Sequence, residues 1–229
     1  MKILAVGPHP DDIEFGCSPV LIQEVRRGHA VRLLVTSLGE GGSFGTPQER
    51  AEEARQAAAI IGAEIEFLDF GGDCHVEPNV ANCMQMARQI RAFQPNVILA
   101  PSPEENQHPD HLAVSKIVQR AARLARYGGL AELRDLAPHK IDSLYYYAIT
   151  TIFQSPDILI DVTAVHEQWQ AAMHCHKTQI ENKAYLDLVN ARARSLGASI
   201  GTGYAVGLWR NDPIRLESLA DLKLSSRNF

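Results

Sequence analysis

The segment "KILAVGPHPDDIEFG", residues 2–16, opens with an apolar run and turns abruptly polar at its centre. Residues 2–7 are short and apolar with β-branched members, as strands covered on both faces tend to be. His9-Pro10-Asp11-Asp12 follows at once, and Pro10 biases His9 away from the helical region. The same kind of apolar run recurs as "AVRLLVTS" (30–37), "EIEFLDF" (64–70) and "NVILAP" (96–101), which predict three more strands. Between them Ser18–Arg27, Pro47–Ile61 and Val80–Phe93 predict helices, each closed soon after by glycine or proline. That alternation implies right-handed crossovers and a mostly parallel sheet, an α/β Rossmann-like three-layer sandwich. Further on, "SLYYYAI" (143–149) and "DILIDV" (157–162) predict added strands, and Thr163–Lys177 and Asn182–Leu196 predict closing helices. The chain has no internal repeat, low-complexity tract or linker, so one domain over residues 1–229 is expected.

With 229 residues, 45% hydrophobic and 21% charged, the chain can bury a sizeable core without disulfides. Cys17, Cys74, Cys83 and Cys175 form no C-x-x-C pair, which argues against a zinc ribbon or a disulfide framework and fits a reducing compartment. The run after Met1-Lys2 is too short for a signal peptide and no later run is long enough to span a membrane, so a cytoplasmic protein without a membrane partner is expected. A net charge of −5 argues against nucleic acid as a partner. "GPHPDD" after the first strand is neither G-x-G-x-x-G nor a P-loop, and "GEGGSFG" (39–45) lacks the rest of either fingerprint. A nucleotide site is therefore not expected.

In an open α/β sheet the productive crevice lies beyond the carboxyl ends of the strands. His9 to Asp12 sits just past the first strand, and a second cluster, "HPDH" (His108 to His111), sits past the fourth. Either alone reads as a turn with a helix cap. Together they deliver histidines and carboxylates to one sheet edge. A catalytic zinc takes three ligands from histidine and carboxylate and leaves a fourth position for water. On a turn His9 and Asp12 can converge on one ion, which leaves Asp11 free to act as a base. Pro109 suits a first helical turn, so His108 and His111 lie near one face, one for metal and the other for substrate. The "HCH" run at 174–176 and His166 are expected to ligate nothing, since adjacent side chains on a helix diverge. Arg120, Arg123 and Arg126 read as a solvated helix face, and Trp169 and Trp209 as core or subunit contacts.

"GPHPDDIEFG" with "HPDH" resembles the PIG-L/LmbE-like family of zinc-dependent N-acetylglucosaminyl deacetylases. The likeness runs on through "TSLGEGGSFGT", "LYYYAI", "DILIDVT" and "ARARSLGASIGTGYAVGL", whose closing "YAVGL" looks most like the bacillithiol-type branch. The resemblance implies a metal held by His9, Asp12 and His111, with Asp11 as general base. It also implies His108 as general acid or charge stabiliser with Asp110 orienting it, Arg50 and Asp73 as sugar contacts, and Tyr204 as a mobile tyrosine at the oxyanion. Zn2+ is the implied ion, with Fe2+ or another divalent metal as alternatives that the donor set also suits. The implied partner is an N-acetylated amino-sugar conjugate, and relatives form homo-oligomers, trimers or hexamers. The chain departs from the family in Gly16-Cys17-Ser18-Pro19, where a small-residue run such as G-C-G-G is common, and in Pro8, where alanine is usual. Another amidase or esterase on the same scaffold, or a non-catalytic sugar-binding module, are the competing functions.

Overall fold

A computed structural model describes residues 1–104, 108–150, 155–181 and 184–221. In chain order the elements are β1 (Lys2–Gly7), α1 (Asp12–Gly16), α2 (Ser18–Arg26), β2 (Ala30–Val35), α3 (Pro47–Ile61), β3 (Glu64–Phe67), α4 (Val80–Phe93), β4 (Val97–Pro101) and α5 (Pro109–Leu124). They continue with β5 (Ser143–Tyr147), β6 (Ile158–Asp161), α6 (His166–Met173), α7 (Lys177–Ile180), α8 (Tyr185–Ser199) and β7 (Ala205–Arg210). Among the described residues the strands form one seven-stranded sheet in the order β3-β2-β1-β4-β5-β7-β6. All pairs from β3 to β5 are parallel, and β7 alone runs against both its neighbours.

Period-two alternation along the strands divides the core between the two faces. Ile3 and Ala5 of β1 face the layer of α1, α2, α3, α6 and α8, while Leu4 and Val6 face α4 and α5. Each fully buried Leu or Ile in these layers contributes about 1.5–3 kcal/mol through removal from water. α3 begins where the sequence marks it, in a capping box formed by Thr46 and Glu49 with Pro47 in the first turn, and it ends at left-handed Gly62.

Several boundaries differ from the sequence reading. β2 stops at Val35 because Thr36 and Ser37 turn their hydroxyls onto the Pro8 carbonyl, at 3.3 and 2.9 Å. The single helix expected over Thr163–Lys177 is instead a 3-10 turn (Thr163–Val165), then α6, then a break before α7. The helix expected from Asn182 begins its described part at Tyr185, residues 182–183 lying outside the described residues. β7 is a strand that the sequence reading does not contain; Gly207 at its centre is needed because a Cβ there would lie 2.5 Å from Pro156.

β1 lies between β2 and β4, so the chain leaves it in opposite directions on its two sides. That switch point opens a crevice at the carboxyl ends of β1 and β4. No helix among the described residues is long and apolar enough to cross a membrane.

Candidate active site

The turn after β1 and the start of α5 meet in this crevice. Pro8 O is fixed by Thr36 and Ser37, and the Tyr147 hydroxyl donates to Val6 O at 2.8 Å, so the turn rests on rigid strands. Asp11 takes φ +124°, a strained value for a residue with a side chain. It precedes α1 but its carboxylate makes no cap hydrogen bond. The helix-cap reading of that carboxylate therefore fails, and it lines the cleft instead. His108 does cap: its Nδ1 accepts the Asp110 backbone N–H at 3.3 Å. That bond leaves the proton of a neutral ring on Nε2, which lies 3.3 Å from Asp73 Oδ1.

Asp12 joins the two motifs. Its Oδ2 lies 3.0 Å from His9 Nδ1 and its Oδ1 3.3 Å from His111 Nε2. Around a tetrahedral zinc with bonds of about 2.0–2.1 Å, neighbouring donors stand roughly 3.3 Å apart; each separation is of that size, but the two histidines meet different oxygens of Asp12. The other ring nitrogen of His9, Nε2, lies 3.1 Å from both Asp73 Oδ1 and Asp110 Oδ2. A carboxylate behind the second nitrogen is the usual support for a histidine ligand. Among the described residues two groups bring one donor atom per residue within 4.8 Å: His9, His108 and His111, and His9, Asp73, His108 and Asp110; the expected set of His9, Asp12 and His111 is not one of them. His9 and His108 belong to both groups.

Asp110 was expected to orient His108. Its Oδ2 is 3.9 Å from His108 Nδ1 but 3.1 Å from His9 and 2.8 Å from the Cys74 backbone N–H, so it supports His9. Asp73, expected at the sugar, is held between His9 and His108 at the cleft wall. Arg50 donates to Gly39 O at 2.9 Å and Pro10 O at 3.1 Å, and its Nη2 is 3.7 Å from Asp11 Oδ1; its buried Nε has no partner among the described residues. It thereby ties the glycine loop after β2 to the His9–Asp12 turn. Tyr204 is not brought to the cleft. Its ring stacks on His166 at 3.7 Å beside β7, two strands away from β4.

The charges follow from this crowding. Burial, then the neighbouring Asp12 charge, pushes Asp11 up to about 6 against the pull of Arg50. Burial also opposes ionisation of Asp12, but the His111 and His9 rings hold it well below the usual carboxylate range. Hydrogen bonds from His108 and His9 hold Asp73 low. Burial disfavours charge on His9, yet Asp12, followed by Asp110 and Asp73, raises its pKa well above the ordinary value.

The cleft encloses about 310 Å³. Asp11, Arg50, Asp73 and His108 form its polar side, and Phe15, Ile149, Tyr185 and Leu188 its apolar side. The apolar residues escaped sequence reading because they come from separate parts of the chain. Glu14 escaped too: it is buried in "DIEFG" with its carboxylate 3.5 Å from His176 Nε2. Its apolar neighbours Ile13 and Phe15 were the local sign that this carboxylate needs a buried polar partner.

The architecture is thus that of an α/β protein with a histidine and carboxylate cleft at its topological switch point. A profile described as PIG-L, GlcNAc-PI de-N-acetylase, matches residues 4–122, and the chain belongs to that family. It is 27% identical over 228 residues to the diacetylchitobiose deacetylase of Thermococcus kodakarensis, covering 90% of this chain and 82% of that protein. It is 25% identical to the 4-oxalmesaconate hydratase of Pseudomonas putida over 95% of this chain and 92% of that one. Among solved structures, the conserved protein TT1542 from Thermus thermophilus superposes with a TM-score of 0.87 at 28% identity, covering 97% and 99% of the two chains.

Proposed function

We propose that the protein removes the acetyl group from an N-acetylglucosamine-type conjugate, a bacillithiol-type thiol precursor or a related glycoside, using a divalent metal, zinc first. The observation that carries this reading is the pairing of His9 and His111 with the two oxygens of Asp12, beside an Asp11 carboxylate left uncapped in the cleft. His9, Asp12 and His111 would hold the ion, which supplies a water acidified to a pKa of about 7 and polarises the acetamide carbonyl.

Asp11 accepts the proton of the attacking water. Its pKa of about 6 keeps it ionised at neutral pH and still basic enough to take that proton. His108 Nε2–H lies against Asp73 Oδ1 at 3.3 Å and would turn from that carboxylate, or share the bond with it, to meet the negative charge growing on the carbonyl oxygen. Because His108 Nδ1 already accepts the Asp110 N–H, the ring is a hydrogen-bond donor in its neutral form. Asp11 therefore carries its proton on to the amine as the C–N bond breaks, and acetate and a free amino sugar result.

Acetate release should be measured on N-acetylglucosamine conjugates, simple amides and simple esters after metal reconstitution. Preference for the sugar conjugates supports this reading over a general amidase or esterase. Because one relative is a hydratase, an unsaturated tricarboxylate belongs in the panel, and hydration without acetate release would sink the deacetylase reading. Asp11→Asn should lower kcat by about 10²–10⁴ with metal content unchanged, since it keeps the shape and removes only the proton acceptor.

A further inference from the structure

The buried pair of Glu14 and His176 has no part in the chemistry above. His176 is 0% exposed and Glu14 2%, with Nε2 and Oε2 at 3.5 Å. Neither ring nitrogen makes a hydrogen bond among the described residues. Burial alone would favour the neutral ring, but Glu14, with Asp11 and Glu53 further off, raises the proton affinity of His176 above the ordinary histidine value. Desolvating two such groups costs several kcal/mol that their attraction offsets only in part, so the pair is poor evidence of stabilisation.

The backbone of α1 has its own supports. Trp169 Nε1–H and the Ser18 hydroxyl both donate to Glu14 O at 2.8 Å, and Arg192 donates to Phe15 O at 3.2 Å. None of these requires a charged side chain at position 14. The chain reaches His176 by breaking between α6 and α7. Beyond it, Thr178 bonds the Glu53 carboxylate of α3 at 2.9 and 2.7 Å, and Gln179 donates to Phe44 O in the glycine loop at 3.1 Å. Residues 176–179 therefore touch α1, α3 and that loop, the three pieces that carry or border Asp11 and Arg50. Asp11 sits at φ +124°, and a strained backbone persists only where its surroundings fix it from several sides.

We propose that His176, acting through Glu14, is a positioning residue that holds the α1 turn so that Asp11 keeps its strained, cleft-facing geometry. The effect on turnover rests on the base role given to Asp11 in the proposed function; the effect on geometry does not.

The test compares His176→Gln, Glu14→Gln and the double variant with the wild type, reading kcat, KM, metal per chain and Tm, together with a crystal structure of H176Q. Each single variant should lose at least tenfold in kcat with KM and metal content within twofold, and the double should be no worse than the poorer single, as for residues acting as one unit. In the H176Q crystal, Asp11 should leave its positive φ or its carboxylate should move away from Arg50. Should H176Q not fold, Glu14→Asp keeps the charge, shortens its reach and carries the same expectations. A lowered Tm with wild-type kcat in the folded, metal-loaded variants overturns the proposal, as does an unmoved Asp11. If the wild type releases no acetate from any N-acetylated sugar, the deacetylase reading falls, and the position of Asp11 in the H176Q crystal still decides this one.

Discussion

At His9 the site holds a proton in the place where it is proposed to hold a metal. The Asp12, Asp110 and Asp73 carboxylates raise the pKa of His9 despite its burial, so in metal-free protein the ring stays charged above its usual range. A raised pKa stabilises the fold fully below the unfolded value of about 6.5, and that contribution fades as pH climbs through the higher folded value. A metal needs the neutral ring, so binding must release this proton and tighten as pH rises through the same interval. Chelator competition at pH 6 and pH 8, with proton release measured in two buffers, should show both; an affinity independent of pH would exclude His9 as a ligand. Asp11 titrates with the opposite requirement on charge. Its ionised form is the proposed base, so kcat/KM at saturating metal should fall about tenfold per unit once pH drops below the Asp11 pKa, which is about 6 without the ion and lower beside its positive charge. Asp110 supports His9 from behind, and Asp110→Asn should weaken metal binding by about 10–100-fold with a smaller effect on the rate of the loaded enzyme. The reversed pattern, full metal affinity and lost turnover, would restore Asp110 to His108. The two motifs were legible in sequence because each follows an apolar strand. The partner of Asp110 was not, since adjacency to His108 in the chain says nothing of which imidazole lies nearer across the cleft.

Among the elements, the loop between β2 and α3 shows how glycines were legible as a group but not in their purpose. "GEGGSFG" reads as a flexible connection, whereas Gly39 has a specific reason to lack a side chain. Its φ is +71°, and a Cβ there would lie 1.9 Å from Arg50 Nη1, while its carbonyl accepts from that same nitrogen at 2.9 Å. Gly39→Ala should therefore displace Arg50 from the Pro10 carbonyl and from Asp11. The expected cost is about 1–3 kcal/mol in stability, together with a rise in KM, measured by urea unfolding and steady-state kinetics. Unchanged values in both would mean that the guanidinium relocates without consequence. α3 itself was readable to the residue, because a capping box at one end and a left-handed glycine at the other are local signals. β7 was not, because its place between β5 and β6 is set by pairing across the chain and not by its own six residues.

Across the whole molecule, the sheet separates the edge that holds the cleft from the edge that holds the fold together. Each parallel strand ends at the cleft, so the connections that return from α5 to β5 lie at the opposite edge, where Asn96 bonds both Lys2 and Asp142. There Arg91 of α4, 2% exposed, donates to the carbonyls of Ala125, Tyr127, Leu133 and Leu136 and so closes the 125–136 connection onto the α4–α5 layer. Nothing in "RQIRAF" separates this arginine from the half-buried Arg88 one turn earlier, because burial of a cation depends on carbonyls contributed from far along the chain. Removing it leaves several buried acceptors without donors, which costs more than the loss of one ordinary hydrogen bond. Arg91→Met keeps the apolar stem and should lower the free energy of unfolding by at least about 1–3 kcal/mol, while kcat, KM and metal content of the folded fraction stay at wild-type values. Urea unfolding paired with activity measured below the transition tests both halves. A fall in kcat without a fall in stability would mean that the two edges are coupled through α4 and α5, and that the cleft depends on the far side of the sheet.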